Sequence, residues 1–286
     1  MKHKLEYIIF LFLEKFFFLL PFFLSQKIGK CLGKISYYLI SKRRKIAIEN
    51  LKKSFPEKTE NEINFIAKKS FENFLISFAE FFSIQKFSQK KILNLVQFEN
   101  LEELKKKIEN KSAIILSAHF GNWELLAISI GLFFERKVNL VVKPQHNKFV
   151  DKRISMLRTK FGNYPIPMNN VSEILKCLNE KKLVAILSDQ SAPKESVYVN
   201  FFGQQVSTFS GTSVFALRTN SPIILILILR EKKNFKLIWE EILFEKKDDN
   251  EAIKKLTQIH TTAVENFIRK FPTEWLWMHR RWKNTQ

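Results

Sequence analysis

The sequence predicts an α/β fold with a mostly parallel central sheet flanked by helices, preceded by an N-terminal membrane-anchor helix. Three observations predict it. From Ala113 onward, short β-rich apolar runs alternate with helical stretches, the rhythm of βα units. The segment before Ala113, from about Lys45, carries helical periodicity instead. Tyr7 to Leu24, near the start, is apolar except for Glu14 and Lys15.

In chain order, the N-terminal segment comes first. Its 16 apolar positions favour bilayer transfer by about −5 to −10 kcal/mol, and two central charges each cost about 2.5–3.5 kcal/mol. The balance is close to even. The segment is therefore expected to cross a bilayer or to lie in its surface with the charged pair turned outwards, the alternative being a buried core helix. No small-residue cleavage site follows it, so it is not read as a removed signal peptide. Lys2 and Lys4 precede the run, while Lys27, Lys30, Lys34, Lys42, Arg43, Arg44 and Lys45 follow it. By the positive-inside rule the remaining chain faces the cytoplasm.

Between residues 62 and 82, Ile63, Ile66, Phe71, Phe74, Leu75, Phe78 and Phe82 form an amphipathic stripe. Strands are expected at Ala113 to Ser117, Val138 to Val142, Leu183 to Leu187 and Ile223 to Leu229, with a further strand at Phe235 to Leu243. Helices are expected at Trp123 to Phe134, Lys148 to Phe161, Val171 to Asn179 and Thr208 to Arg218. Asn250 to Phe271 adds a last helix, stopped by Pro272. The simplest division is an anchor over residues 1–26 and one catalytic domain over 27–286.

The 286 residues carry a formal charge of +20. Such a balance suits an anionic partner, a membrane surface or an acidic protein. An AT-rich genome would also enrich Lys, Ile, Asn and Phe without any functional demand. Nucleic acid is not expected as a partner, because no recognition motif accompanies the charge. The two cysteines, Cys31 and Cys177, stand far apart with no ligands at metal spacing, which argues against a disulfide framework, a structural zinc or any other metal site.

The sharpest local feature is Ser117-Ala118-His119-Phe120-Gly121-Asn122-Trp123-Glu124. It lies where a buried strand gives way to an apolar helix, the edge at which open α/β sheets place their sites. Asn122 is a suitable helix N-cap. On one straight helix, His119 and Glu124 would diverge by about 140°. A strand-to-helix turn, eased by Gly121, lets the carboxylate fold back onto the imidazole. A histidine so held is a general base with a fixed tautomer. The alternative is a histidine that merely caps a turn, beside a glutamate at a helix N-terminus.

His119-Phe120-Gly121-Asn122-Trp123-Glu124 resembles the H-x4-D/E motif of glycerolipid-type acyltransferases, and more narrowly the late acyltransferases of lipid A biosynthesis. Val142-Lys-Pro-Gln-His-Asn with Arg153, Arg158 and Gly162 is similar to the second block of that group. Asp189-Gln-Ser-Ala-Pro-Lys with Val197 to Gly203 is similar to its third, and Pro272 to Lys283 to its C-terminal segment. The resemblance implies a glycerolipid-acyltransferase-like fold. It also implies acyl transfer from a thioester, acyl carrier protein or coenzyme A, to a hydroxyl of a lipid A precursor, with no further cofactor.

On that reading His119 is the base and Glu124 holds it, with no covalent enzyme intermediate, since there is no G-x-S-x-G elbow. Arg158, with Arg153, would hold acceptor phosphates or the carrier's phosphopantetheine. Asn122 and Asp189 complete the expected substrate-binding set. Arg280 and Arg281 match the family without an assigned role, and His146 is the rival base. The expected partners are a membrane lipid acceptor, acyl carrier protein and an anionic membrane surface, at the cytoplasmic face of the inner membrane. Alternative readings are acylation of a glycerophospholipid or another glycolipid, or a non-catalytic basic membrane-binding protein.

Overall fold

The computed structural model describes residues 2–232, 234–246 and 249–285. Four helices lead: α1 (Lys2–Leu19), α2 (Phe22–Leu39), α3 (Ser41–Ser54) and α4 (Glu60–Ser83). The α/β part follows as α5 (Gln89–Leu95), β1 (Val96–Phe98), α6 (Leu101–Ile108), β2 (Ala113–Ser117), α7 (Trp123–Phe134), β3 (Val138–Val142), α8 (Lys148–Thr159) and β4 (Tyr164–Pro167). It continues through α9 (Val171–Asn179), β5 (Leu183–Leu187), β6 (Val197–Phe201), β7 (Gln204–Thr208), α10 (Gly211–Thr219), β8 (Ile223–Arg230), β9 (Phe235–Ile242) and α11 (Asn250–Lys270).

Seven strands form one sheet in the order β1-β9-β8-β2-β5-β3-β4. All neighbours are parallel except β8 and β9. That pair is a hairpin, so the last predicted strand adds to the sheet in the opposite sense. The short strands β1 and β4 and the separate β6–β7 hairpin carry too little apolar pattern to be foreseen.

The sheet is covered on both faces, and its strands show why. Ile114 and Leu116 of β2, with Val184 and Ile186 of β5, join Ile174, Phe215, Leu256 and Trp275 in one core. Ala113 and Ile115, with Leu183, join Leu104, Leu125, Ile128 and Phe134 in the other. Successive side chains of a strand point to opposite faces, so continuous apolar runs are what a doubly covered sheet requires.

Helix α4 opens with a capping box, in which Thr59 Oγ1 accepts from Glu62 N and the Glu62 carboxylate accepts from Thr59 N. Helix α2 lies close against it because Gly29 and Gly33 share one face. A Cβ at Gly33 would come within 2.5 Å of Glu72 Cα. Only a missing side chain permits that approach.

The N-terminal segment departs from the expected anchor. The apolar run is two helices, broken at Pro21, whose ring nitrogen has no proton to donate. Among the described residues no helix is long and apolar enough to cross a membrane. Nor does the charged pair turn outwards together. Glu14 is buried and takes a bidentate pair from Arg153 of α8, at 2.8 Å from Nε to Oε2 and 2.5 Å from Nη2 to Oε1, while Lys15 is exposed. Neighbours on a helix stand about 100° apart, so one can face in while the other faces out. Phe10 and Phe17 of α1 pack with Ala79, Phe81, Phe82 and Leu157.

Two stability predictions follow from buried charge. Arg153→Met leaves Glu14 buried without its cation and should lower stability by about 1–3 kcal/mol. A matched Glu14→Gln, Arg153→Met double variant should recover much of that in a denaturant titration.

His260 of α11 is buried, and neither ring nitrogen has a hydrogen-bond partner among the described residues. Burial, aided by the nearby Arg281 cation, holds its pKa down to about 4. Between pH 6.5 and 4 the unfolded chain therefore binds a proton that the folded chain does not. Stability should fall across that window as pH drops, and His260→Phe should flatten the decline in Tm.

Candidate active site

Strands β2 and β5 are adjacent and parallel, with Ser117 opposite Leu187. Two residues beyond each, at the carboxyl edge of the sheet, stand His119 and Asp189. Asp189 Oδ1 lies 2.9 Å from His119 Nδ1, and Asp189 Oδ2 accepts from the His119 backbone N–H at 3.0 Å and from Trp275 Nε1 at 2.8 Å. The carboxylate is thus buried with three donors. Burial would raise its pKa, but the His119 imidazole and these hydrogen bonds outweigh burial and bring it to about 2. An ionised acceptor at Nδ1 fixes the tautomer with the proton on Nδ1, so that the ring's lone pair lies on Nε2. The imidazole keeps about a fifth of its surface exposed, whereas the Asp189 side chain keeps 2%.

The carboxylate on the imidazole is therefore Asp189, where the sequence pointed to Glu124. Asp189, expected in the substrate-binding set, has its carboxylate on the His119 imidazole. Glu124 lies in the first turn of α7 and is gripped by Arg158 from the last turn of α8, with Nε donating to Oε2 at 2.9 Å and Nη2 to Oε1 at 2.5 Å. Burial would lower the Arg158 pKa, but the Glu124 carboxylate outweighs it and the value is raised. The two expected phosphate-binding arginines, Arg158 and Arg153, are thus both held by carboxylates of the chain itself.

Asn122, expected in the substrate-binding set and as the helix N-cap, is fully buried. Its Oδ1 caps α7 by accepting from Leu125 N at 2.9 Å, and its amide donates to Glu80 at 2.8 Å. Glu80, itself buried, also takes Arg230 Nη2 at 2.7 Å and Gln26 Nε2 at 2.8 Å. Arg230 Nη2 reaches Ser77 Oγ, which donates to the Gly121 carbonyl at 2.9 Å. This buried polar cluster holds the turn from beneath.

The C-terminal segment holds the same turn from the other side. Leu276 N donates to His119 O at 3.1 Å and Gly121 N to Glu274 O at 3.0 Å, so Phe120 and Trp275 form an antiparallel bridge. Trp275, Trp277 and Trp282 are buried together against Phe201 and Phe202. Arg281, also buried, donates to Ser207 O and Thr208 Oγ1 of β7, both at 2.6 Å. His279 is half-buried, and burial brings its pKa down to about 4.

Two residues of the site were missed from sequence. One is Trp275, whose signal was its place in the C-terminal block. The other is Gln190, next to Asp189, whose amide nitrogen lies 3.2 Å from His119 Nε2 and 3.4 Å from Nδ1. Trp123 contributes an edge-on ring contact to His119, with centroids 5.1 Å apart. The rival base His146 is exposed on the loop before α8, with its ring against His3. Beside Trp123 and Glu124 lies an apolar slot of about 80 Å³, lined also by Phe10, Phe78, Phe81 and Ile154.

His119 thus stands at the carboxyl edge of a parallel sheet, and Trp123, whose ring touches it, also lines the apolar slot. The chain is an O-acyltransferase of the late lipid A type. The family model for bacterial lipid A biosynthesis acyltransferases matches residues 2–284, and the chain belongs to that family. It is 25% identical over 276 residues to the lipid A biosynthesis lauroyltransferase of Escherichia coli (strain K12), covering 92% of this chain and 87% of that one. Against the lipid A biosynthesis palmitoleoyltransferase of the same strain it is 23% identical over 270 residues, covering 92% and 86%. A lipid A biosynthesis acyltransferase of Haemophilus influenzae is 26% identical over 273 residues, covering 92% and 86%.

The geometry of the turn makes one position intolerant. Gly121 has φ of +56°, and a Cβ there would lie 2.0 Å from the Ile228 carbonyl oxygen. Gly121→Ala should therefore cost about 2 kcal/mol or more and lower transfer by displacing His119. Chemical denaturation and initial rates, measured on the same preparation, check both effects.

Proposed function

We propose that the chain moves a fatty acyl group from an acyl thioester to a hydroxyl of a lipid A precursor at the cytoplasmic face of the inner membrane, with His119 as general base oriented by Asp189. The observation that carries this reading is the His119 Nδ1–Asp189 contact, which leaves Nε2 as the basic atom at an open sheet edge. Nε2 takes the proton of the acceptor hydroxyl as its oxygen attacks the thioester carbonyl. The tetrahedral intermediate then collapses, the C–S bond breaks, and the proton held on His119 passes to the departing thiolate. The Gln190 amide lies against the same ring edge and can donate to the oxygen that gains negative charge.

Acyl carrier protein is the proposed donor. It is an acidic protein, and the +20 charge would draw it in by long-range attraction. The slot between Phe10, Phe78, Phe81 and Trp123 is far smaller than the roughly 300 Å³ or more of a whole-ligand pocket. It suits the part of the acyl chain nearest the reacting carbonyl. In this reading the Glu124–Arg158 pair forms the polar rim of the slot and fixes the first turn of α7.

His119→Ala should reduce kcat by about 10²–10⁴-fold with purified enzyme, acyl carrier protein thioester and lipid A precursor. Asp189→Asn should do comparable damage, and the double variant should be scarcely worse than His119→Ala alone. Glu124→Gln decides which carboxylate serves the imidazole. With Asp189 in that role, Glu124→Gln should cost far less in kcat than Asp189→Asn, measured with both variants shown to be folded. Near-normal transfer by a folded His119→Ala enzyme would sink the mechanism.

A further inference from the structure

Asp189 lines a small interior cavity of about 10 Å³, formed with Ser188, Phe201, His260, Val264 and Arg281. Each of these residues is buried. A space of that size has room for one water molecule and for no larger ligand. Two of the lining residues carry polar atoms that the chain leaves unsatisfied. Among the described residues, neither ring nitrogen of His260 makes a hydrogen bond, and neither does Arg281 Nε. Both residues are only 1% exposed. The rest of the Arg281 guanidinium is committed. Its Nη1 donates to Ser207 O and its Nη2 to Thr208 Oγ1, and it lies 5.1 Å from the centroid of the Phe201 ring. Buried polar atoms are nearly always paired, so unpaired ones gathered on one cavity point to a molecule that satisfies them.

Charge and proton count decide what that molecule is. Burial holds the Arg281 pKa down to about 10, with the Asp189 charge opposing the fall, so at neutral pH the guanidinium is a cation beside an anionic carboxylate. Burial and the Arg281 cation hold His260 down to about 4, which leaves it neutral, with one N–H and one bare nitrogen. A cation in the cavity would meet Arg281, and an anion would meet Asp189. A neutral molecule that both accepts and donates fits. A water can accept from Arg281 Nε and donate to the bare nitrogen of His260. Its second proton has a receiver as well. A carboxylate offers about four lone-pair positions. Asp189 has filled one on Oδ1, with His119 Nδ1, and two on Oδ2, with His119 N and Trp275 Nε1. The remaining position is on Oδ1, the oxygen that holds the imidazole.

We propose that this cavity is the site of one structural water, which joins Arg281 Nε and His260 to Asp189 Oδ1 and makes both residues positioning residues for the His119–Asp189 pair. The inference rests on the reading of Asp189 as the carboxylate that orients the base. With the water in place, each carboxylate oxygen is held by two donors, and rotation about the Asp189 Cβ–Cγ bond is blocked. The C-terminal segment then reaches Asp189 twice, directly through Trp275 and through the water from Arg281. A small displacement of the carboxylate would move the imidazole and be felt in the chemical step.

A crystal structure of the full chain, at a resolution that shows ordered waters, tests the site without any turnover. A water should stand within about 2.5–3.2 Å of Arg281 Nε, of one His260 nitrogen and of Asp189 Oδ1. His260→Phe fills the cavity and should expel it. With acyl carrier protein thioester and lipid A precursor, folded His260→Phe should lose about tenfold in kcat while both KM values stay unchanged. His260→Asn and His260→Gln bring an amide near the two ring-nitrogen positions, and one of them should keep the water and restore most of the lost kcat. His260→Leu, which removes the water's acceptor, replaces His260→Phe should that variant fail to fold.

Wild-type density with no water at that point would overturn the proposal. An anomalous signal there in crystals soaked with bromide would overturn it too, by marking an anion site. Unchanged kcat per folded molecule in a His260→Phe enzyme that has lost the water would do the same, as would equal losses in all the His260 variants, the mark of a residue that only packs. The base assignment fails separately, by near-normal transfer in a folded His119→Ala enzyme, and that result would leave the wild-type water where it is.

Discussion

A carboxylate taken out of water needs donors to replace the lost hydration, and Asp189 has three: a ring nitrogen, a backbone amide and an indole. The donors arrive from two separate parts of the chain, His119 and Trp275. The imidazole and amide belong to the turn after β2, the carboxylate to the end of β5, and the indole to the C-terminal segment. Satisfying one buried charge therefore locks together two strands of the sheet and the last dozen residues of the chain. The Trp275–Trp277–Trp282 packing and the Arg281 clamp on β7 stabilise the same junction.

The turn bearing His119 is constrained on every side. Gly121 passes under the Ile228 carbonyl, the Glu80–Arg230 cluster supports Asn122 and Gly121 from below, and residues 274–276 bridge it from above. Buried polar groups of this kind cost stability unless every member is paired, so the cluster specifies one arrangement. A reacting group held on rigid elements with a fixed tautomer is what proton transfer in a hydroxyl attack requires. Helix α1 belongs to this architecture as well, because its Glu14–Arg153 pair and its Phe10 place it against α8 and the slot.

The sequence by itself determined the fold class, most strand and helix positions, His119 as the candidate base and the carboxyl edge of the sheet as the place to look. Those follow from apolar periodicity and from turn chemistry, which are local properties. The family resemblance was legible too, since it resides in short blocks. The pairing of groups was not legible. Glu124, five residues from His119, looked like its partner, but the first turn of α7 carries that carboxylate to Arg158 on α8. Asp189, seventy residues away, is the partner because β2 and β5 are neighbours in register. Glu14 and Lys15 looked like one charged patch, yet the helical turn sends one to a buried arginine and leaves the other in solvent. Strand order and helix facing are set by packing the whole core, and only the tertiary structure decides which side chains meet.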